Sequence, residues 1–281
     1  REMMRVHPEE HPGGLQIFGA DIPKMCEAAR VCEEMGADFV DINFGCPVPK
    51  VVKCGAGSAM LKNPSAMGKL LSAMSKTLSI PLSIKIRSGW DESSINAHEI
   101  LKVAADSGVA WVSVHARTRF QGYAGEADWN LIRALSETSP IPLIGNGDIR
   151  SAHEALAKLE SGYAHAVMIG RAAIADPYIF WDCRRLEGRE VGERKPAPEM
   201  LRELYALIME HNHPKVRHTK LKKLFVWFAG GMPGKGPFRQ KVFSLGDDPP
   251  ALLDVALNFL TQERFAERGE KDLSFLKGGH G

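Results

Sequence analysis

Asp41-Ile-Asn-Phe-Gly-Cys46-Pro-Val-Pro49 is the stretch whose reading decides the fold. Val40, Ile42 and Phe44 are apolar and β-prone, Asp41 and Asn43 alternate with them, and Gly45 with Pro47 stops the strand at once. A thiol is therefore presented at the C-terminal end of a buried strand. In parallel α/β barrels that end is the catalytic face, because the loops after each strand gather around one mouth. Free cysteines commonly serve as small buried hydrophobes. Here the polar Asn43 and the two prolines make the segment a rigid rim rather than core.

Outward from this strand, short apolar segments alternate with longer helical ones. Strands are expected at Leu15–Phe18, Phe39–Phe44, Leu82–Arg87, Trp111–His115, Pro142–Gly145 and Ala166–Ile169. Helices are expected at Pro23–Met35, Pro64–Leu78, Ser94–Ser107, around Trp129–Ser136 and at Ala152–Ser161. Near-continuous apolar strands spaced by crossover helices mean a parallel sheet covered on both faces. Polar residues or glycines follow every strand: Gln16 to Gly19, Asn43 to Cys46, Lys85 to Arg87, His115 to Arg117, Asn146 to Asp148, and Gly170-Arg171. A doubly wound sheet concentrates its site at one switch point, so six chemically equipped strand ends favour a barrel. The expected fold is α/β: a TIM (β/α)8 barrel lacking its first N-terminal strands in this chain, followed by a small all-α helical-bundle domain. The expected domains are the barrel at 1–188, a charged linker at 189–198, the helical domain at 199–266 and a flexible tail at 267–281. In the helical domain Leu201, Leu204, Tyr205 and Ile208 form one apolar stripe, and Leu221, Leu224, Phe225 and Phe228 form another.

The chain has 281 residues, 44% hydrophobic and 25% charged, which is ordinary globular material. No apolar run approaches the ~18 residues of a membrane span, and Arg1-Glu-Met-Met-Arg is not a signal peptide. Five cysteines with no Cys-x-x-Cys pair signal neither a disulfide framework nor a zinc site, so a reducing cytoplasm is expected. The net charge of +2 hides a segregation. Between Arg194 and Lys241 eleven Lys/Arg stand against three Asp/Glu, a local +8, leaving −6 for the rest.

Gly145-Asn-Gly147-Asp148 and Gly170-Arg171-Ala follow successive strands, and in barrels such loops with a short helix N-terminus cradle a phosphate. No Gly-x-Gly-x-x-Gly opens a helix, and Gly230-Gly-Met-Pro-Gly-Lys235 departs from a P-loop at both ends. His211, His213 and His218 lie among Lys215, Arg217 and Lys220, the pattern of a solvated basic face, so no metal is expected. Lys85 and His115 end neighbouring strands; the first is read as a fixed cation, the second as a donor of tunable protonation. With the cradle and the amide of Gln16 they suit a flavin mononucleotide, although on chemistry alone a sugar-phosphate isomerase stays open.

Gln16-Ile-Phe-Gly, Asp41-Ile-Asn-Phe-Gly-Cys-Pro, Lys85-Ile-Arg, His115-Ala-Arg-Thr, Gly145-Asn-Gly-Asp and Ile169-Gly-Arg-Ala, in this order and spacing, resemble the tRNA-dihydrouridine synthases, most of all the bacterial B-type branch. Cys46 followed by Lys50, Gly55, Gly57 and Ser58 belongs to the same resemblance. It implies an FMN enzyme that reduces the C5=C6 bond of particular tRNA uridines with NADPH. Gln16, Lys85, His115, Asn146, Gly147, Asp148, Gly170 and Arg171 would hold FMN, Cys46 would donate the proton, and Asn43 and Arg117 would meet the flipped uracil. The family's first strand, with its Pro-Met-Ala-Gly type loop, is expected to lie outside this chain. The basic helices, with Lys220, Lys222 and Lys223, are expected to bind tRNA through phosphate contacts, and the enzyme is expected to be a monomer. Two rivals are an FMN reductase of a small metabolite, similar to dihydroorotate dehydrogenase, and a tRNA-binding protein that has lost catalysis. The segregated charge argues against the first, and the joint presence of Cys46, Lys85 and His115 against the second.

Overall fold

Alternation governs the sheet. In the computed structural model, which describes residues 6–261, 263 and 264, six strands form: β1 (Gly14–Ile17), β2 (Phe39–Phe44), β3 (Leu82–Arg87), β4 (Trp111–His115), β5 (Leu143–Asn146) and β6 (Ala166–Met168). Each pairs in parallel with the next, so spatial order equals chain order. A doubly wound sheet reverses its order at a switch point; this one winds in a single direction, as TIM-barrel-like sheets do.

The register places Asn43 beside Lys85 and Ser113, and Arg87 beside His115 and Asn146. Side chains two apart share a face. One face therefore carries Val40, Ile42, Phe44, Ile84, Ile86, Val112, Val114 and Leu143, all fully buried. The other carries Gln16, Asp41, Asn43, Ser83, Lys85, Arg87, Ser113, His115 and Asn146. The expectation of a sheet covered on both faces is corrected here: the second face is polar and only partly buried, with Asp41, Ser83, Arg87, Ser113 and His115 buried, Asn43, Lys85 and Asn146 half-buried and Gln16 exposed. Near its lower end Phe39 and Trp111 pack edge to face at 5.0 Å, and Gly14 leaves room for the Phe39 ring, which a Cβ would meet at 2.1 Å.

The connections supply α1 (Ile22–Glu34), α2 (Pro49–Lys53), α3 (Pro64–Thr77), α4 (Ala97–Asp106), α5 (Trp129–Thr138) and α6 (Ala152–Glu160). The starts of α1, α3 and α5 are written in polar caps followed by proline or apolar residues. Asp21 accepts from the N–H of Lys24 and Asn63 from that of Ala66, each at 3.0 Å. Met25, Ala29 and Cys32 of α1, Met67, Leu70, Leu71 and Met74 of α3, Ile100 and Ala104 of α4, and Ile132 and Leu135 of α5 are buried. Each large side chain so buried contributes about 1.5–3 kcal/mol. The helix expected from Ser94 starts later, at Ala97, because Asp91 and Ser94 close a 3-10 turn first.

The chain divides into two compact units, one reaching Asp148 and including Leu156–Met168, the other comprising Ile149–Ala155 and the chain from Ile169 onward. The second unit holds α7 (Arg171–Ala175), α8 (Ile179–Leu186), α9 (Ala197–His211), α10 (Pro214–Phe228), α11 (Lys235–Ser244) and α12 (Pro249–Phe259). Leu201, Leu221, Phe225, Phe228, Phe238, Val242, Leu252 and Ala256 form its core, with Leu204, Tyr205, Ile208 and Leu224 packed against it. Phe238 and Phe259 stack at 4.2 Å. The segment expected as a linker is tied down within this unit, since Arg194 pairs with Asp176 at 2.9 Å and Asp182 at 3.1 Å. The expected tail at 267–281 lies outside the described residues. Among those residues no helix is long and apolar enough to cross a membrane.

Candidate active site

The turn that carries Cys46 is fastened on both sides. The side-chain oxygen of Asn43 accepts from the N–H groups of Gly45 at 3.0 Å and Cys46 at 2.8 Å. The carbonyl of Cys46 accepts from the Ser58 N–H at 3.1 Å and hydroxyl at 2.9 Å. Gly57, with φ of +59°, lets this approach happen; a Cβ there would lie 2.9 Å from the Cys46 carbonyl oxygen. Arg87 donates through Nε to the Gly45 carbonyl at 3.0 Å and through its terminal nitrogen to those of Thr118 at 2.9 Å and Gly122 at 2.8 Å. The connections after β2 and β4 are thereby joined. Cys46 itself is a half-buried free thiol, whereas Cys54 is exposed and Cys32 buried.

A hydrogen-bonded chain runs from the middle of the polar face to that turn. The Ser83 hydroxyl donates to Asp41 at 2.7 Å, the Gln16 amide donates to the other Asp41 oxygen at 2.6 Å, and the Asn43 amide donates to Gln16 Oε1 at 2.8 Å. Burial pushes the Asp41 carboxyl up, against the lowering effect of those hydrogen bonds and of Lys85. Lys85 is pulled down to about 8, by desolvation first and then by Arg87, with Asp41 opposing. His115 is pulled down to about 2 by burial and by the cations Arg87, Lys85 and Arg117. The tunable donor expected at this histidine is therefore corrected: the imidazole is neutral throughout the physiological range, because it is buried and three cations share its surroundings.

Arg117 and Asp148, assigned separately from the sequence, are partners. The guanidinium meets the carboxylate with two hydrogen bonds, at 2.9 and 2.6 Å, and also donates to the carbonyls of Ala124 and Gly125. Arg117 is 2% exposed. Asp148 in addition accepts from the Ala127 N–H at 2.8 Å. Beside them Asn146 donates to the Met168 carbonyl at 2.8 Å, and Gly147, at φ of +134°, accepts from the Trp129 indole at 2.9 Å.

The family description Dihydrouridine synthase (Dus) matches residues 1–261. The chain belongs to the dihydrouridine synthase family. It is 36% identical over 253 residues to a probable tRNA-dihydrouridine synthase of Rickettsia bellii, covering 88% of this chain and 77% of that one. It is 34% identical over 274 residues to tRNA-dihydrouridine synthase B of Pseudomonas putida, covering 94% and 80%. Among solved structures a 2-naphthoyl-CoA reductase complex is similar at a TM-score of 0.47 and 18% identity, over 66% of this chain and 30% of that one.

In the second unit of this dihydrouridine synthase, Gly170 precedes α7, and a Cβ there would meet nothing within 4 Å. Arg171 opens that helix and is half-buried. Of the three lysines assigned to tRNA on α10, Lys220 and Lys223 are exposed, Lys220 giving its ammonium to Asn212 Oδ1, whereas Lys222 is half-buried and gives its ammonium to the Leu245 carbonyl. His213 caps α10 by accepting from the Lys215 N–H, a structural use of one of the histidines. Sequence reasoning gave no role to four positions that build the candidate site: Asp41, Ser58 and Arg87, which stood within the quoted motifs, and Ser83, which did not. For Arg87 a signal existed, since its i+2 spacing from Lys85 puts both on one strand face.

Proposed function

We propose that this synthase reduces the C5=C6 bond of uridines in tRNA to 5,6-dihydrouridine, using FMN as cofactor and NADPH as reductant. The observation that carries the reading is the Cys46 thiol, held by Asn43 and Ser58 at a strand end beside a polar sheet face bearing Lys85 and neutral His115. That face suits a flavin: it offers the amide of Gln16, a cation at Lys85, a neutral ring at His115 and the amide of Asn146, and no carboxylate but Asp41, which Gln16 and Ser83 occupy. Gln16, Lys85, His115, Asn146 and Gly147 would hold the cofactor, with Gly170 and Arg171 assigned to its phosphate on the family resemblance. Asp148 and Arg117 enter as a bonded pair that shapes the rim where uracil is received, with Asn43. Held there and reduced, FMN would supply the hydride for C6.

The proton for C5 comes from Sγ of Cys46, which is left as thiolate and is reprotonated from water. The backbone clamps from Asn43, Ser58 and Arg87 fix where that proton is offered. The reacting base has to leave its stack, at about a few kcal/mol, least in an exposed tRNA loop. Lys220, Lys222 and Lys223 are assigned to the tRNA backbone, α9 to α12 being read as a tRNA-binding helical bundle. The enzyme is read as a monomer acting in the cytoplasm, where its substrate is.

Two measurements test this. Mass spectrometry of tRNA from a deletion strain is expected to show a lost dihydrouridine. In stopped-flow experiments on the holoenzyme, Cys46→Ala should leave flavin reduction by NADPH intact and slow reoxidation by tRNA by ~10²–10⁴-fold, the usual worth of a general acid. Reoxidation at the wild-type rate would remove Cys46 from the role. Complete tRNA modification in the deletion strain, with the enzyme turning over a small metabolite instead, would favour the small-molecule reductase.

A further inference from the structure

Three successive strand-to-helix connections converge on one indole. Lys62, from the connection after β2, places its ammonium 3.5 Å from the centroid of the Trp90 ring. Trp90 itself lies in the connection after β3. Arg119, from the connection after β4, sets its guanidinium 4.6 Å from the same centroid. The backbone beneath is pinned, since Arg119 donates to the Gly89 carbonyl and Phe120 to the Trp90 carbonyl, both at 2.9 Å. Gly89 is held against Ile95 so closely that a Cβ would stand 2.3 Å from the Ser94 oxygen.

Next to these cations Phe120 is 78% exposed and Ile95 49% exposed. A phenyl ring in water on a loose loop would mean little, but this loop is not loose. Thr118 and Gln121 exchange hydrogen bonds through their side chains, Gly122 donates to the Arg119 carbonyl, and Arg87 grips the carbonyls of Thr118 and Gly122 on either side of Phe120. The same Arg87 holds the carbonyl of Gly45, one residue before the proposed acid. Asp91, which follows Trp90 in the chain, is turned onto its own 3-10 segment by Ser93 and Ser94.

We infer that Phe120 is a stacking platform for a base adjoining the reacting uridine, with Lys62 and Arg119 facing its phosphates. The inference rests on the reading that the substrate is tRNA. Extruding one base leaves its neighbours with an uncovered face, and an aromatic ring covers such a face whatever the base. Two cations at the edge of the platform complement a polyanion.

The experiment titrates an unmodified tRNA transcript against the holoenzyme at several salt concentrations, for the wild type, Phe120→Ala, Phe120→Leu, Phe120→Trp and Lys62→Gln. Phe120→Ala and Phe120→Leu are expected to weaken binding roughly five-fold or more, the size of a lost base–aromatic stack, with the salt slope unchanged. Phe120→Trp should keep the affinity, and Lys62→Gln should flatten the slope by up to about one. Unfolding midpoints should not move. Wild-type affinity in Phe120→Ala, or in Phe120→Leu, which keeps the apolar cover but not the ring, overturns the platform alone. A wild-type enzyme that neither binds tRNA nor is reoxidised by it overturns the functional reading and the platform with it.

Discussion

At Lys85 the surroundings oppose one another: burial and Arg87 discourage the charge while Asp41 supports it, and the balance settles at about 8 against an ordinary 10.5. The ammonium is present below that value and lost as pH rises through it, so an anion held by Lys85 is released in the same window. Stability moves the other way, since between about 8 and 10.5 the unfolded chain binds the proton that the folded one has given up. We expect FMN affinity, followed by flavin fluorescence, to fall as pH is raised through about 8 in the wild type and to stay level in Lys85→Arg, whose guanidinium does not titrate there. An identical fall in both would assign the titration elsewhere. The candidate acid was legible because Gly45, Cys46 and Pro47 interrupt an apolar strand within three residues. Its supports were not. Gln16 reaches Asp41 across 25 positions and Ser83 reaches it across 42, and the neutrality of His115 comes from burial together with cations from one strand and a loop. Neither quantity has a local signature.

The strap between the connection after β4 and that after β5 is the bidentate pair of Arg117 with Asp148, made where the arginine is fully buried. Removing one partner leaves the other charge without its complement, so Arg117→Ala and Asp148→Ala should each cost about 3 kcal/mol in urea unfolding. The double replacement Arg117→Met with Asp148→Leu should cost less than either single change; a strictly additive loss would show that the two do not act as a pair. All six strands could be placed within one residue, and α1, α3, α5 and α6 within two, because period-2 and period-3.6 patterns survive in them. The short helices α2, α7 and α8 could not: they have five, five and eight residues, too few for a stripe to show. The helix α11 was hidden for another reason, since Gly236 and Pro237 stand in its first turn and only Phe238 and Val242 reach the core.

Taken whole, the chain concentrates its positive charge between Arg194 and Lys241. Affinity for tRNA should therefore fall steeply with salt, each phosphate neutralised steepening the log-log slope by roughly 0.7 to 0.9. Lys223→Glu should flatten that slope more than Lys220→Glu or Lys222→Glu, since the ammonium of Lys220 is committed to Asn212 Oδ1 and that of Lys222 to the Leu245 carbonyl; equal effects from all three would contradict the geometry. The two-faced sheet of the first unit has a further consequence, one of folding fidelity. If β2 slipped by one residue against its neighbours, Asp41 and Asn43 would be driven among the apolar side chains of the helices, at several kcal/mol for the carboxylate alone, and Ile42 and Phe44 would turn onto the polar face. Selection for the chemistry at Asn43 and Cys46 is thus also selection for the correct register. A mispaired chain would be a misfolded protein open to proteolysis, not a sluggish enzyme persisting beside the active one.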